Sequence, residues 1–129
     1  MARIIVVEDD AAILKMEERI LSAAGHEVMC FRDGASALEE ARGSPPDLVI
    51  LDVMMAGLSG FEVARLLRAE PGTALVPVIF VTARNEARSM NEGFKAGGSA
   101  YLTKPFSGNR LLALVNKLSE VGQAEEGTG

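Results

Sequence analysis

The stretch "IIVVEDDAAI", residues 4–13, sets four β-branched apolar residues directly against three carboxylates, Glu8, Asp9 and Asp10. A continuous apolar run of this length reads as a strand buried on both faces, because a half-exposed strand alternates apolar with polar residues. The segment that follows, "AAILKMEERILSAAG" (11–25), predicts a helix with Ile13, Met16, Ile20 and Ala24 on one face. Gly25 suits the left-handed cap that ends it. One strand and one helix thus frame an acidic cluster whose charges repel one another.

The same unit recurs outward from this stretch. Apolar runs stand at "RIIVVE" (3–8), "EVMCF" (27–31), "DLVILD" (47–52), "VPVIFVT" (76–82) and "SAYLT" (99–103). Between them, "SGFEVARLLRAE" (59–70) carries Ser59 and Glu62 at capping-box spacing and an apolar stripe of Val63, Leu66 and Leu67. "GASALEEARG" (34–43) is a less strongly patterned helix, and "EARSMNEGFKAGG" (86–98) carries Met90 and Phe94 before paired glycines. "GNRLLALVNKLSEV" (108–121) spaces Leu111, Leu114, Val115, Leu118 and Val121 at helical period. Five strand–helix alternations with doubly buried strands predict an α/β fold, a parallel sheet covered by helices on both faces.

The 129 residues suit one domain, expected over 1–122, with 123–129 as a frayed tail that has nothing to bury. At 48% hydrophobic and 24% charged, the composition is that of a globular chain. A net charge of −5 and the lack of a basic cluster argue against nucleic-acid binding. No apolar run reaches spanning length, so no membrane role is expected. A single cysteine cannot close an intrachain disulfide, which fits a reducing compartment, the cytoplasm. Cys30, in a strand-like run, reads as a small core residue, and His26 has no partner at ligand spacing.

In open parallel sheets functional groups collect beyond the carboxyl ends of the strands. Glu8 and Asp9 follow the first strand, Asp52 ends the third, Thr82 ends the fourth and Lys104 follows the fifth. Three carboxylates in one mouth need a counter-charge, and two like charges about 4 Å apart repel by roughly 4 kcal/mol at an effective dielectric near 20. Mg²⁺, with its preference for hard oxygen ligands, supplies it, and Mn²⁺ could substitute. Asp9 and Asp52 suit direct ligation and Glu8 a contact through water. Asp10, immediately before the helix, suits an N-cap better than a ligand. Lys104 suits a phosphate oxygen and Thr82 offers a hydroxyl. Singly, each reads more simply as a solvated lysine and a β-branched strand residue; their place beside Asp9 and Asp52 joins them to the site.

With "VVEDD", "DLVILDVMM..LSG", "VIFVTA" and "YLTKPF" in this order and spacing, the chain resembles the receiver domain of bacterial two-component response regulators. The resemblance implies a flavodoxin-like (βα)₅ doubly wound fold with strand order 2-1-3-4-5. It implies that Asp52 is the phospho-acceptor, supplied by a sensor histidine kinase or phosphotransfer protein. Asp9, Asp52, the backbone carbonyl of Met54 and Glu8 through water would hold Mg²⁺. Lys104, Thr82 and the adjacent Ala83 would bind the phosphoryl group, Tyr101 would change rotamer as Thr82 moves, and Pro105 would follow a cis peptide bond. Such a protein is a signalling switch rather than a turnover enzyme. With the chain ending at Gly129, a single-domain regulator is expected, acting on a separate protein through its fourth helix, fifth strand and fifth helix. Met54 and Arg84 are expected to flank the site.

Three positions depart from the family pattern: Ala56 where Pro is common, Ser59 where Asp is common, and "GGSAY" (97–101) where an acidic "GADDY" is familiar. The last removes charges used by the winged-helix subgroup to dimerise, so a monomer or weak dimer is expected. Met90, Ala100 and Leu114 stand on that face, where they either form an apolar patch or pack inward. Other readings fit less well. A mononucleotide-binding flavodoxin would carry a Ser, Thr and Gly-rich loop after its first strand, and a haloacid-dehalogenase phosphatase would need Asp where Met54 stands. A binding module that keeps only the fold has no use for the five polar residues together.

Overall fold

A computed structural model describes residues 2–83 and 87–128, and the side chains among them other than those of 87, 88 and 120–128. The strands are β1 (Arg3–Val7), β2 (Glu27–Phe31), β3 (Leu48–Asp52), β4 (Val78–Thr82) and β5 (Ala100–Thr103). They alternate with α1 (Ala11–Ala23), α2 (Gly34–Gly43), α3 (Gly60–Ala69), α4 (Ala87–Lys95) and α5 (Gly108–Thr128). All neighbouring strands pair in parallel, in the order β2-β1-β3-β4-β5. This is the flavodoxin-like arrangement, and its order reverses between β1 and β3. Pairing of Val7 with Leu51, of Asp52 with Val81 and of Thr82 with Thr103 brings the carboxyl ends of four strands to one rim.

The continuous apolar runs are explained by two cores. Ile5, Val7, Val49, Leu51, Val78 and Phe80 point to one side, against Leu38 of α2 and Val63 and Leu67 of α3. Ile4, Val6, Ile50, Ile79 and Val81 point to the other, against Leu14 and Leu21 of α1 and Leu111 and Val115 of α5. Successive side chains alternate faces, so a strand sandwiched between helices must be apolar at every position. Among the described residues no helix is long and apolar enough to cross a membrane.

The strands stop short of several predicted ends. Pro77 has no N–H for a ladder, while Glu8, Asp47 and Ser99 each keep a backbone bond, to Phe31, Arg3 and Val78, without extending a strand. The caps at Gly25, with φ 93°, and at Ser59 and Glu62, which exchange both bonds of a capping box, match their sequence signals. Asp33 caps α2 by accepting from the Ser36 N–H at 2.8 Å, which the sequence reading passed over.

The predicted inner face of α1 is wrong by one residue. Leu14, Glu17 and Leu21 are buried, whereas Met16 is 42% exposed and Ala24 is exposed; of the predicted face, Ile13 and Ile20 are half-buried, and Ile20 packs against the core edge. One residue is about 100° of helical rotation. A carboxylate at 17 interrupts the Leu14–Leu21 stripe, so periodicity alone favoured the neighbouring stripe, yet the fold turns Glu17 inward. On α3 Leu66 likewise lies outside the buried set, which is Gly60, Phe61, Val63, Ala64 and Leu67. Met90 and Leu114 are half-buried, Phe94 is exposed, and the Val121 side chain lies outside the described residues. The backbone of α5 stays helical to Thr128, through the stretch that the sequence sets apart as a tail.

Candidate functional site

Each acidic residue reaches the rim because its strand ends there. Glu8 (1% exposed), Asp9 and Asp52 each offer a carboxylate oxygen, all within 4.8 Å of one another. Lys104 enters from the end of β5: its Nζ donates to Glu8 Oε1 at 2.7 Å and lies 3.5 Å from Asp52 Oδ2. Backbone amides hold the carboxylates in place, Asp10 N–H donating to Glu8 Oε2 at 3.2 Å and Met54 N–H to Asp52 Oδ1 at 3.3 Å. The Asp10 carboxylate is engaged elsewhere, accepting from the N–H groups of Ala12 and Ile13 as the cap of α1.

Burial, followed by the hydrogen bond that a protonated Glu8 donates to Asp52, pushes the Glu8 carboxyl above its usual range, although Lys104 and the Asp10 N–H pull the other way. Burial would lower the Lys104 ammonium, but the Glu8 bond and the Asp52 and Glu8 charges outweigh it and hold the group above its ordinary value. Three carboxylates therefore face one ammonium, and the excess negative charge is what a divalent cation would offset. The donor set, all carboxylate oxygens, is of the hard type that Mg²⁺ prefers.

Thr82 is buried at the end of β4, with Ala83 exposed beyond it. Its carbonyl accepts the Lys104 N–H at 2.7 Å, so the ends of β4 and β5 are tied together at the residue that carries the ammonium. The Lys104–Pro105 peptide bond is cis. Tyr101, half-buried on β5, lies beside Phe80 with ring centroids 6.2 Å apart, and Phe80 meets Phe61 edge-on at 5.1 Å. These rings link α3, β4 and β5. Met54 is 62% exposed and lines a cleft together with Asp9; Arg84 lies outside the described residues.

Two contributors at the rim were not read from the sequence. The Arg32 guanidinium donates twice to the Asp9 carbonyl, at 2.8 and 3.3 Å, from the end of β2. Gly60, the first residue of α3, lies so close to the end of β3 that a Cβ there would collide with the Asp52 carbonyl oxygen and stand 3.0 Å from the Val53 Cα. In an open helix Gly→Ala stabilises, but here backbone must move. Gly60→Ala is expected to lower stability by about 1–3 kcal/mol through overpacking. Urea unfolding checks this, and an unchanged midpoint would show that the loop after Asp52 yields freely.

Residues 4–116 match the model of the response regulator receiver domain family. The chain is 46% identical over 113 residues to the uncharacterized transcriptional regulatory protein YrkP of Bacillus subtilis, covering 88% of this chain and 47% of that protein. It is 40% identical over 118 residues to the response regulator PleD of Caulobacter vibrioides, covering 92% of this chain and 26% of PleD. The chain thus spans about half or less of the length of these relatives. Among solved structures, a putative response regulator from Chloroflexus aurantiacus superposes with a TM-score of 0.89 at 31% identity, covering 92% of this chain and 98% of that one. The Vibrio cholerae chemotaxis protein CheY4 superposes with a TM-score of 0.87 at 30% identity over the same shares. With the family model matched from β1 into α5 and the order β2-β1-β3-β4-β5 in place, this chain belongs to the receiver domains of two-component response regulators.

Proposed function

We propose that Asp52 accepts a phosphoryl group from a phosphohistidine on a sensor histidine kinase or phosphotransfer protein, and that the acyl phosphate is the signal. The observation that carries this reading is the Asp52 carboxylate, clustered with those of Glu8 and Asp9 within reach of one ion and 3.5 Å from the Lys104 ammonium. An Asp52 oxygen attacks phosphorus as the P–N bond breaks; the electron pair of that bond returns to the imidazole nitrogen, which takes up a proton. Lys104, 3.5 Å from the Asp52 carboxylate, draws the phosphoryl oxygens into place, and the Thr82 hydroxyl donates to one of them. Asp9, Asp52, the Met54 carbonyl and Glu8 through water would hold Mg²⁺, which offsets the charge on the transferred group.

The added charge of about −1.5 to −2 draws Thr82 and Ala83 inward, and Tyr101 follows. The α4, β5 and α5 surface changes as a result and engages a separate protein. Half-buried Met90 and Leu114 supply apolar area there without the charge pairs of a tight dimer. A cytoplasmic location follows from the same family reading.

Mg²⁺ should raise the melting temperature, because a ligand selective for the native state adds RT ln(1 + [L]/Kd). The Asp9→Ala variant should lose most of that gain. An equal Mg²⁺-dependent shift in variant and parent would remove the metal assignment. With acetyl phosphate and Mg²⁺ the parent should gain one phosphoryl group by intact-protein mass spectrometry, and a chain that gains none would sink the phospho-acceptor reading.

A further inference from the structure

Inside the core, on α1, stands a carboxyl that the signalling chemistry does not use. Glu17 sits on α1 between Leu14 and Leu21, is 1% exposed, and neither of its side-chain oxygens has a hydrogen-bond partner. We propose that Glu17 is a neutral carboxylic acid in the folded domain, and that through the charges of Glu8 and Asp52 it couples cation binding at the rim to release of its own proton. The proposal rests on the reading of Glu8, Asp9 and Asp52 as a cation site.

The geometry decides the protonation state. An ionised carboxylate in that position would have no donor to replace water, and a buried unpaired ion is far less stable than its neutral form. Burial, with added repulsion from Glu8 and Asp52 and partial relief from Lys104, pushes the Glu17 carboxyl up to about 8. The charged groups that bear on it come from three strand ends, Glu8 after β1, Asp52 of β3 and Lys104 after β5. From β2, Cys30 feels the Glu17 charge; its thiol is itself pushed up to about 12 by burial, the hydrogen bond to Glu18 and the charges of Glu18 and Glu17. From α5 the inward residues are Leu111, Val115 and Ser119, which carry no charge.

A cation at the rim offsets the Glu8 and Asp52 charges that oppose ionisation of Glu17. It must therefore favour loss of the Glu17 proton, and by reciprocity an ionised Glu17 must tighten the cation. Below the Glu17 pKa, Mg²⁺ binding should release part of a proton. As pH rises past it, affinity should increase by about fivefold, the low end of typical coupling between two sites.

Isothermal titration of Mg²⁺ in buffers of different ionisation enthalpy, between pH 6.5 and 9, reads both quantities, and ¹³C carboxyl shifts follow Glu17 directly in the parent protein. The parent should release protons and bind more tightly at high pH, and Glu17→Gln should lose that part of both while still binding Mg²⁺. Identical proton release and pH dependence in parent and Glu17→Gln would overturn the proposal, as would a Glu17 carboxyl titrating in the ordinary range. If Mg²⁺ does not bind the parent at all, it is the cation-site reading that fails, and the carboxyl shifts still test the neutral state of Glu17.

Discussion

Asp52→Asn is expected to abolish phosphoryl uptake from acetyl phosphate and Mg²⁺ while leaving the fold intact. The amide matches the carboxylate in shape, so the Met54 N–H that donates to Asp52 Oδ1 at 3.3 Å keeps its acceptor. What is lost is the anionic oxygen, the only part of the residue that can form an acyl phosphate. Removing one of three crowded carboxylates also relieves Glu8, whose carboxyl is raised in part by Asp52. The variant should therefore melt no lower than the parent in the absence of cation. Intact-protein mass spectrometry decides the matter: undiminished modification in Asp52→Asn would place the acceptor elsewhere, and a collapsed melting transition would void the comparison's premise that the fold tolerates the amide.

Glu17→Leu is expected to stabilise the domain, and by more as pH rises. The sign follows from proton linkage. Glu17 is raised from the usual 4.5 to about 8 in the folded state. Between those values the native state holds a proton that the unfolded chain has given up, so parent stability falls with increasing pH through this window. The penalty is absent below the lower value and complete above the upper one, where it amounts to roughly 4–5 kcal/mol at about 1.4 kcal/mol per pH unit. Leucine carries no proton and fits the Leu14–Leu21 stripe on either side of it. Urea unfolding with chelator at pH 5, 6.5 and 8 should show the gap between variant and parent widening stepwise. A gap that stays constant with pH would show that Glu17 does not titrate on unfolding.

Glu8, Asp9, Asp52, Thr82 and Lys104 were legible as one cluster because each ends or follows an apolar run, and in a parallel sheet the ends of such runs fall on one rim. Strand number, helix number and the caps at Asp10, Ser59 and Gly25 were legible for the same kind of reason: period and capping are local properties. Strand limits were less so, since the last ladder bond depends on the neighbouring strand rather than on the residue itself. The ends predicted at Glu8, Asp47 and Ser99 each keep a backbone bond to a neighbouring strand without extending their own.

By itself, then, the sequence determined a parallel α/β domain with an acidic mouth, since hydrophobic period and the order of chemical groups along the chain survive without any knowledge of distance. Three things were decided only by tertiary structure. Packing of α1 chose the Leu14, Glu17 and Leu21 face, because a charged residue defeats periodicity while the core fixes rotation by shape. The approach of Gly60 to the Asp52 backbone appears only when α3 folds back on the end of β3. The pairing of Lys104 with Glu8 at 2.7 Å joins residues 96 apart in the chain, a contact that strand order creates and no local pattern encodes.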